Sequence, residues 1–112
     1  MPRENLDLLK GTFGLLLLKA IRLQPRHGHD IMKWLKTVTE GAFLVEEGAM
    51  YPALHRLERQ KLVKGEWGKT ENNRRARYYK LTAQGRKELS VEEDRWHRYV
   101  DTVGKVLAAS PA

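Results

Sequence analysis

The chain has 112 residues, of which 41% are hydrophobic and 31% are charged, a balance typical of one small folded domain. It contains no cysteine, which excludes disulfide frameworks and cysteine-based zinc sites and favours a reducing compartment. Lysine and arginine together number 21 against 14 acidic residues, and the net charge of +7 favours a polyanionic partner, nucleic acid before an anionic membrane surface.

The N-terminal stretch MPRENLDLLKG has no hydrophobic region of the kind that a secretory signal peptide requires. The longest apolar run, Leu15 to Leu18, is far too short to cross a membrane. The sequence therefore predicts a cytoplasmic protein without a membrane partner.

Two helices are predicted in the first part of the chain. The segment from Gly11 to Leu23 is apolar on nearly all sides, which predicts a helix that is buried over most of its surface. A second helix is predicted at about His29 to Thr39, because apolar residues recur there at helical spacing. The stripe expected to face the core consists of Ile31, Trp34, Leu35 and Val38. The polar residues expected on the other sides are Asp30, Lys33 and Lys36.

The stretch GAMYPALHRLERQKL, residues 48–62, predicts a third helix even though it contains a proline. A helix tolerates proline where the first backbone N–H groups have no partner, so Pro52 predicts a helix start at about Gly48. At about 100° per residue, the face expected in the core consists of Met50, Ala53, Leu54 and Leu57. The opposite face consists of Gly48, Pro52, His55, Arg56 and Arg59, with Tyr51 at its border.

That opposite face is small at its N-terminal end and basic further along, which suits a helix that enters a groove of DNA. Its first residues can approach DNA closely, its dipole attracts phosphate, and Arg56 and Arg59 can reach bases or backbone. A charged face that is merely solvated is the alternative interpretation, and it is the common one for an isolated helix.

Two strands are predicted next, at Leu62 to Trp67 and at Ala76 to Leu81, joined by the turn-forming segment GKTENNRR. The cations between positions 64 and 80 are Lys64, Lys69, Arg74, Arg75, Arg77 and Lys80, against Glu66 and Glu71. Arginines at a hairpin tip suit phosphate contacts and a narrow minor groove. The alternative is a hairpin charged for solubility, which predicts mixed signs instead of this positive bias.

Thr82 is predicted to cap a last helix that runs from about Ala83 to Leu107. Residues at alternating spacings of four and three form a seam along it: Leu89, Glu93, Trp96, Val100, Val103 and Leu107. Such a seam on a terminal helix predicts a homodimer. The predicted interface residues are the apolar ones: Leu89, Trp96, Val100, Val103 and Leu107.

Glu93 interrupts the apolar seam. Its candidate partners are Arg95, Arg98 and a cation of a second subunit, or it lies at a wet cavity. Trp96 either packs in the interface or stacks on a flat aromatic effector. Trp96 and Glu93 are therefore the candidate effector-binding residues.

Three helices, a hairpin and a long final helix describe a mostly α (α+β) winged helix-turn-helix with a C-terminal dimerisation helix. Residues 1–81 are the predicted DNA-binding domain, and residues 82–112 are the dimerisation helix and tail. The sequence has no notable Ser/His/Asp arrangement and no glycine-rich phosphate loop, so no enzyme is predicted. His27 and His29 lack nearby ligands of matching type, so no metal or other cofactor is predicted.

The stretches LLKGTFGLLLLKAI, RHG, GAMYPALHRLERQKLV and ENNRRARYYKLTAQGRKEL resemble the PadR family of bacterial transcriptional regulators, over residues 8 to about 107. The chain length resembles the short branch with a single C-terminal helix. The resemblance implies a homodimeric repressor on inverted-repeat operators, with the third helix in the major groove and the hairpin on flanking DNA. The DNA-contacting positions that it implies are Gly48, Ala49, Tyr51, Pro52, His55, Arg74 and Arg75. Charge and placement add Arg56, Arg59 and Lys69.

The family commonly has a hydroxyl residue where this chain has Ala49, so one hydrogen bond to DNA is expected to be lost here. The short branch also implies a cavity at the dimer interface that takes an aromatic or drug-like compound. An alternative function of another class is a winged-helix protein-interaction module whose basic face binds an acidic partner.

Overall fold

The computed structural model describes residues 11–111, which form four α-helices and three short β-strands. In chain order the elements are α1 (Phe13–Leu23), β1 (Arg26–His27), α2 (Gly28–Val38), α3 (Glu47–Arg59), β2 (Val63–Lys69), β3 (Arg75–Leu81) and α4 (Ala83–Ala108). This order confirms the predicted winged helix-turn-helix with a long C-terminal helix: α2 and α3 form the helix-turn-helix, and β2 and β3 form the wing.

The sheet is antiparallel, with the strand order β1-β3-β2. β2 and β3 pair along their full length, from Val63 opposite Leu81 to Lys69 opposite Arg75. β1 was not predicted, because two residues give no measurable alternation of polar and apolar side chains. It pairs with the middle of β3, with Arg26 opposite Tyr79.

The hydrophobic core lies between α1, α2, α3 and the near end of the wing. On α3 the four residues that helical spacing predicts in the core are all buried. The core residues are Leu17, Leu18, Ala20, Ile21, Ile31, Leu35, Met50, Ala53, Leu54, Leu57, Leu62, Val63, Tyr79, Leu81 and Leu89. On α1 the exposed residues are Lys19, Arg22 and Leu23, and the remaining residues are buried or partly buried, as predicted.

One prediction for α2 was wrong. Val38, placed in the core stripe, is the last residue of the helix and is 57% exposed, and the chain turns with positive φ at Glu40 and Gly41 shortly after it. Asp30 lies off that stripe, as predicted, and pairs with Arg26, with their charged atoms 3.4 Å apart. The error lies at a helix end, where neighbouring segments decide which side chains are covered.

Arg26 is the buried cation among the described residues, and three contacts hold it. Its Nε donates to the carbonyl of Ala20 at 2.9 Å, and its Nη1 reaches both carboxylate oxygens of Asp30 at 3.4 Å. Its guanidinium carbon lies 5.3 Å from the centre of the Trp34 ring. A buried charge requires this pairing, and it ties the end of α1 and strand β1 to α2.

α4 is attached to the rest of the fold through its first turns. Thr82 caps the helix as predicted, because its hydroxyl oxygen accepts from the backbone N–H of Gly85 at 2.9 Å. Gly85 is buried, and a Cβ at this position would overlap the carbonyl oxygen of Leu62. This close approach of two backbones explains the glycine in the first turn.

Candidate nucleic-acid interface

The outer face of α3 is exposed along its whole length. The predicted DNA-contacting residues on this helix are all classed as exposed: Gly48, Ala49, Tyr51, Pro52, His55, Arg56 and Arg59. Gly48 has open space around it, since a Cβ there would meet no atom within 4 Å. The glycine is therefore not required for packing within the described chain, and a ligand could approach the backbone at this point.

Pro52 lies deeper in the helix than predicted. α3 begins at Glu47, one residue before Gly48, so Pro52 falls more than one turn inside it. The proline has no N–H to donate to the carbonyl of Gly48, the acceptor four residues earlier. Gly48 is exposed, so solvent can hydrate that carbonyl and the helix continues through the proline.

Tyr51 connects the border of this face to the start of α2. A Cβ on Gly28 would lie 3.8 Å from the Tyr51 ring, so the two residues are in close contact. Tyr51 is nevertheless about half exposed. Its phenol is thus held at the junction of α2 and α3 with one side open to solvent.

The wing is longer and its tip shorter than predicted, because both strands extend towards the tip, to Lys69 and from Arg75. Thr70 organises the remaining turn: its N–H donates to the carbonyl of Arg74 at 2.8 Å, and its hydroxyl accepts from the N–H of Arg74 at 3.2 Å. Asn73 takes a positive φ of 60°, as its side chain permits. The tip is therefore an ordered turn.

The six cations of the wing fall into two groups. Lys64 and Lys80 both pair with Glu66, at 3.8 Å and 3.2 Å. Arg77 pairs with Glu58 of α3, with Nη2 2.7 Å from Oε2. Of these six, Lys69, Arg74 and Arg75 have no carboxylate partner within the described residues. The unpaired cations of the wing are therefore concentrated at its tip.

The Glu58–Arg77 ion pair fixes the wing against α3, and the sequence analysis missed its role. The hydrogen bond from Arg77 to Glu58 raises the pKa of the guanidinium further, so the pair stays charged. Gly65 lies diagonally across the strand pair from Arg77, and a Cβ on Gly65 would overlap the guanidinium group. This pair requires the register of β2 and β3, which a single sequence does not specify.

Val63, Tyr79 and Leu81 are buried and lie on one face of the wing, and strand alternation places Lys69 and Arg75 on that same face. Arg77 on this face reaches α3. Two cations of the tip therefore lie on the side of the wing that faces α3, next to the helix whose outer surface carries Arg56 and Arg59.

The seam of α4 is divided between the core and the surface. Leu89, predicted at the dimer interface, is only 3% exposed and packs in the core of its own chain, so the exposed part of the seam begins later. Trp96 is half-buried, while Val100, Val103 and Leu107 are exposed, the last at 81%. The final turns of α4 thus present an uncovered apolar strip.

Glu93 pairs with a residue that the sequence analysis did not consider. Its Oε1 lies 3.6 Å from Nζ of Lys19 on α1, whereas Arg95 pairs with Glu92. The ring of Trp96 stacks near that of Tyr99, with centroids 6.2 Å apart. The two candidate effector residues therefore lie at the boundary between the covered and the exposed parts of α4.

His27, directly before α2, has a structural role. Nδ1 of His27 accepts a hydrogen bond from the N–H of Asp30 at 3.3 Å, which caps α2. In residues 11–111 no group of His, Asp and Glu side chains is arranged to hold a metal ion. Within the same range, no helix is both long enough and apolar enough to cross a membrane.

Comparisons with known proteins agree on one family. Residues 17–91 match the model of the transcriptional regulator PadR-like family. A PadR family transcriptional regulator from Eggerthella lenta is 31% identical, with 90% of this chain and 86% of that chain covered and a TM-score of 0.76.

A PadR-like transcriptional regulator from Bacillus cereus is 25% identical, with 91% of this chain and 97% of that chain covered and a TM-score of 0.79. An uncharacterized protein of Lysinibacillus sphaericus is 24% identical over 90 residues, which is 80% of this chain and 83% of that one. The resemblance seen in the sequence is confirmed, and the chain belongs to the PadR-like family of transcriptional regulators.

Proposed function

We propose that the chain binds double-stranded DNA through the outer face of α3 and the tip of the wing. The observation that carries this proposal is the distribution of uncompensated charge. Arg56 and Arg59 on α3, and Lys69, Arg74 and Arg75 on the wing, have no carboxylate partner within the described residues. The cations at the base of the wing all lie in ion pairs, Lys64 and Lys80 with the one carboxylate of Glu66 and Arg77 with Glu58, so they are less available to DNA.

The shapes of α3 and the wing tip indicate which of them reads bases and which binds phosphates. The N-terminal part of α3 offers Gly48 and Ala49 with little side-chain bulk, so its backbone can approach base edges in the major groove. His55 lies about two turns further along and is the side chain on this face that reads bases. The wing tip offers arginine and lysine, which bind phosphate oxygens and strengthen binding without selecting sequence.

The protein acts as a homodimer through the exposed part of the α4 seam. Trp96, Val100, Val103 and Leu107 continue one another at heptad spacing, and the last three are exposed in a single chain. Burial against the same residues of a second copy would remove this apolar surface from water. A two-fold dimer places two α3 helices about 34 Å apart, which matches an inverted-repeat operator.

The protein acts as a repressor, because its occupation of an operator blocks transcription. A planar aromatic compound bound at the dimer interface relieves this repression. Trp96 supplies the stacking surface and Glu93 a nearby carboxylate for that effector. Such a ligand regulates DNA binding if its affinity differs between the DNA-bound and free arrangements of the dimer. Titration of the protein with planar aromatics tests this: quenching of Trp96 fluorescence is expected, and an unchanged spectrum across the panel contradicts it.

The experiment that tests DNA binding is the salt dependence of affinity for a random-sequence duplex of about three helical turns. Each phosphate contact contributes about −0.9 to the slope of log K against log salt concentration. A slope of several units is expected between about 50 and about 200 mM salt. A slope near zero would favour the second candidate, an acidic protein partner, which the same basic surface would also attract.

A further inference from the structure

Trp67 is an exposed aromatic residue on the wing that the DNA-binding proposal leaves unexplained. It lies on β2 opposite Arg77, and 58% of its surface is accessible to solvent. The position is not part of the hydrophobic core. An exposed indole on a highly charged hairpin offers its aromatic face to nearby cations.

Two arginines of the opposite strand lie close to the ring of Trp67. The guanidinium carbon of Arg75 is 4.2 Å from the ring centroid, and that of Arg77 is 5.6 Å from it. Both distances fall within the range of cation–π attraction. The contact with Arg75 is the closer one, and Arg75 is the cation of this pair without a carboxylate partner among the described residues.

The contact continues into α3. Arg77 touches the indole and is itself held by Glu58, while Gly65 leaves room for the guanidinium. Glu58, Arg77, Trp67 and Arg75 therefore form one continuous series of contacts from the recognition helix towards the tip of the wing. We call this series the wing stack.

We propose that Trp67 is a positioning residue that holds Arg75 ready for a DNA phosphate, an inference that rests on the proposed DNA binding. A free arginine side chain loses many rotamers when it binds phosphate, which weakens the contact. Stacking on an indole restricts those rotamers beforehand. It uses the face of the guanidinium and leaves its N–H groups at the edge available for a phosphate. The wing stack also sets the place of Arg75 relative to α3.

An indirect role of Trp67 through Arg75 differs from a direct contact between the indole and DNA. If the indole acts through Arg75, its removal matters only while Arg75 is present. If the indole touches DNA itself, its removal weakens binding whether or not Arg75 is present. A double-mutant cycle separates these two cases.

The test measures affinity for the random-sequence duplex with four proteins: wild type, Trp67→Leu, Arg75→Ala and the double variant. Leucine keeps an apolar side chain of useful bulk but has no aromatic face. Trp67→Leu is expected to weaken binding about two- to fivefold, the range of an exposed cation–π contact. In the Arg75→Ala background the same substitution is expected to have no effect. Trp67→Phe is the matched control, and it should retain most of the affinity because it keeps an aromatic face.

A second measurement tests the contact without DNA. Arg75→Ala should change the intrinsic tryptophan fluorescence of the wild-type protein but leave that of Trp67→Phe unchanged. Equal weakening by Trp67→Leu in both backgrounds, or none in either, would overturn the positioning role while wild type still binds DNA. Failure of the wild-type protein to bind any duplex would instead overturn the proposed function, and this inference with it.

Discussion

Two regions of the molecule are incomplete in a single chain, and they are incomplete in opposite ways. The outer face of α3 and the wing tip carry cations without counter-charges among the described residues, whereas the last turns of α4 carry apolar side chains without cover. The first region calls for a polyanion and the second for another apolar surface. The homodimer that we propose meets both requirements, since it buries the apolar strips against each other and binds one duplex with both α3 helices.

The base of the wing makes the contrast sharper, because there the charges are paired. Lys64 and Lys80 share the one carboxylate of Glu66, and Glu58 pairs with Arg77. The cations of the hairpin near the core are therefore all paired, whereas those at its tip are not. Net charge alone does not reveal this division, which depends on cross-strand neighbours.

The largest expected effect comes from placing a charge in the exposed apolar strip. Val100→Asp should separate the two subunits, because a dimer would have to bury two carboxylates, and affinity for an inverted-repeat duplex should fall about 100-fold or more as avidity is lost. Light scattering and DNA binding measure the two effects. The control is Thr102→Asp on another side of the same helix, which should remain dimeric. A dimeric Val100→Asp protein would contradict the seam.

The second largest effect is expected on stability, at the contact that attaches α4 to the rest of the fold. Gly85→Ala forces a methyl group onto the carbonyl of Leu62 and should reduce the free energy of unfolding by about 1–3 kcal/mol, as overpacking does. Urea denaturation measures the change. Gly104→Ala on the same helix is the control: a Cβ there meets no atom within 4 Å, so stability should rise by up to about 1 kcal/mol. Equal effects at both sites would show that the backbone approach at Gly85 is unimportant.

A smaller effect distinguishes the tip of the wing from its base. Arg75→Ala should reduce the slope of log K against log salt by about one unit per subunit, for all DNA sequences, because one phosphate contact is lost. Lys64→Ala should leave the slope nearly unchanged, since Lys64 is paired with Glu66. If both variants change the slope equally, the ion pairs at the base do not exempt those cations from binding DNA.

The smallest effect on overall DNA affinity is expected at His55, in the middle of the exposed face of α3. His55→Ala should leave affinity for random duplex nearly constant and change the ranking of related operator sequences, by about 1–3 kcal/mol at the base pair that it reads. Competition binding with single-base variants measures this ranking. A uniform loss across all sequences would make His55 a phosphate contact instead.

The sequence predicted the features that are set by regular spacing or by neighbours a few positions away. The core residues of α3 and the cap at Thr82 were both identified, because each depends on neighbours within a few positions. The features that were missed join distant segments. Lys19 meets Glu93 across two helices, and Glu58 meets Arg77 only when α3 and the wing are assembled.

The candidate site shows the same difference between features set by local spacing and contacts between distant segments. Exposure of His55, Arg56 and Arg59 follows from helical spacing and is confirmed, although their role in DNA binding stays a prediction. The stacking of Arg75 on Trp67 depends on the register of β2 and β3, and periodicity alone does not fix that register. Leu89 shows the reverse error: a heptad pattern alone does not tell an intermolecular seam from an intramolecular one.

The most direct test of the central claim is hydroxyl-radical footprinting of the wild-type protein on the DNA beside its own gene. A dimer that applies α3 and the wing to one duplex predicts two symmetric protected patches about 34 Å apart, each flanked by a further protected stretch of backbone from a wing tip. Arg75→Ala should weaken the flanking protection and leave the central patches. A single patch, or flanking protection that is unchanged in Arg75→Ala, would contradict the arrangement of helix and wing on one duplex.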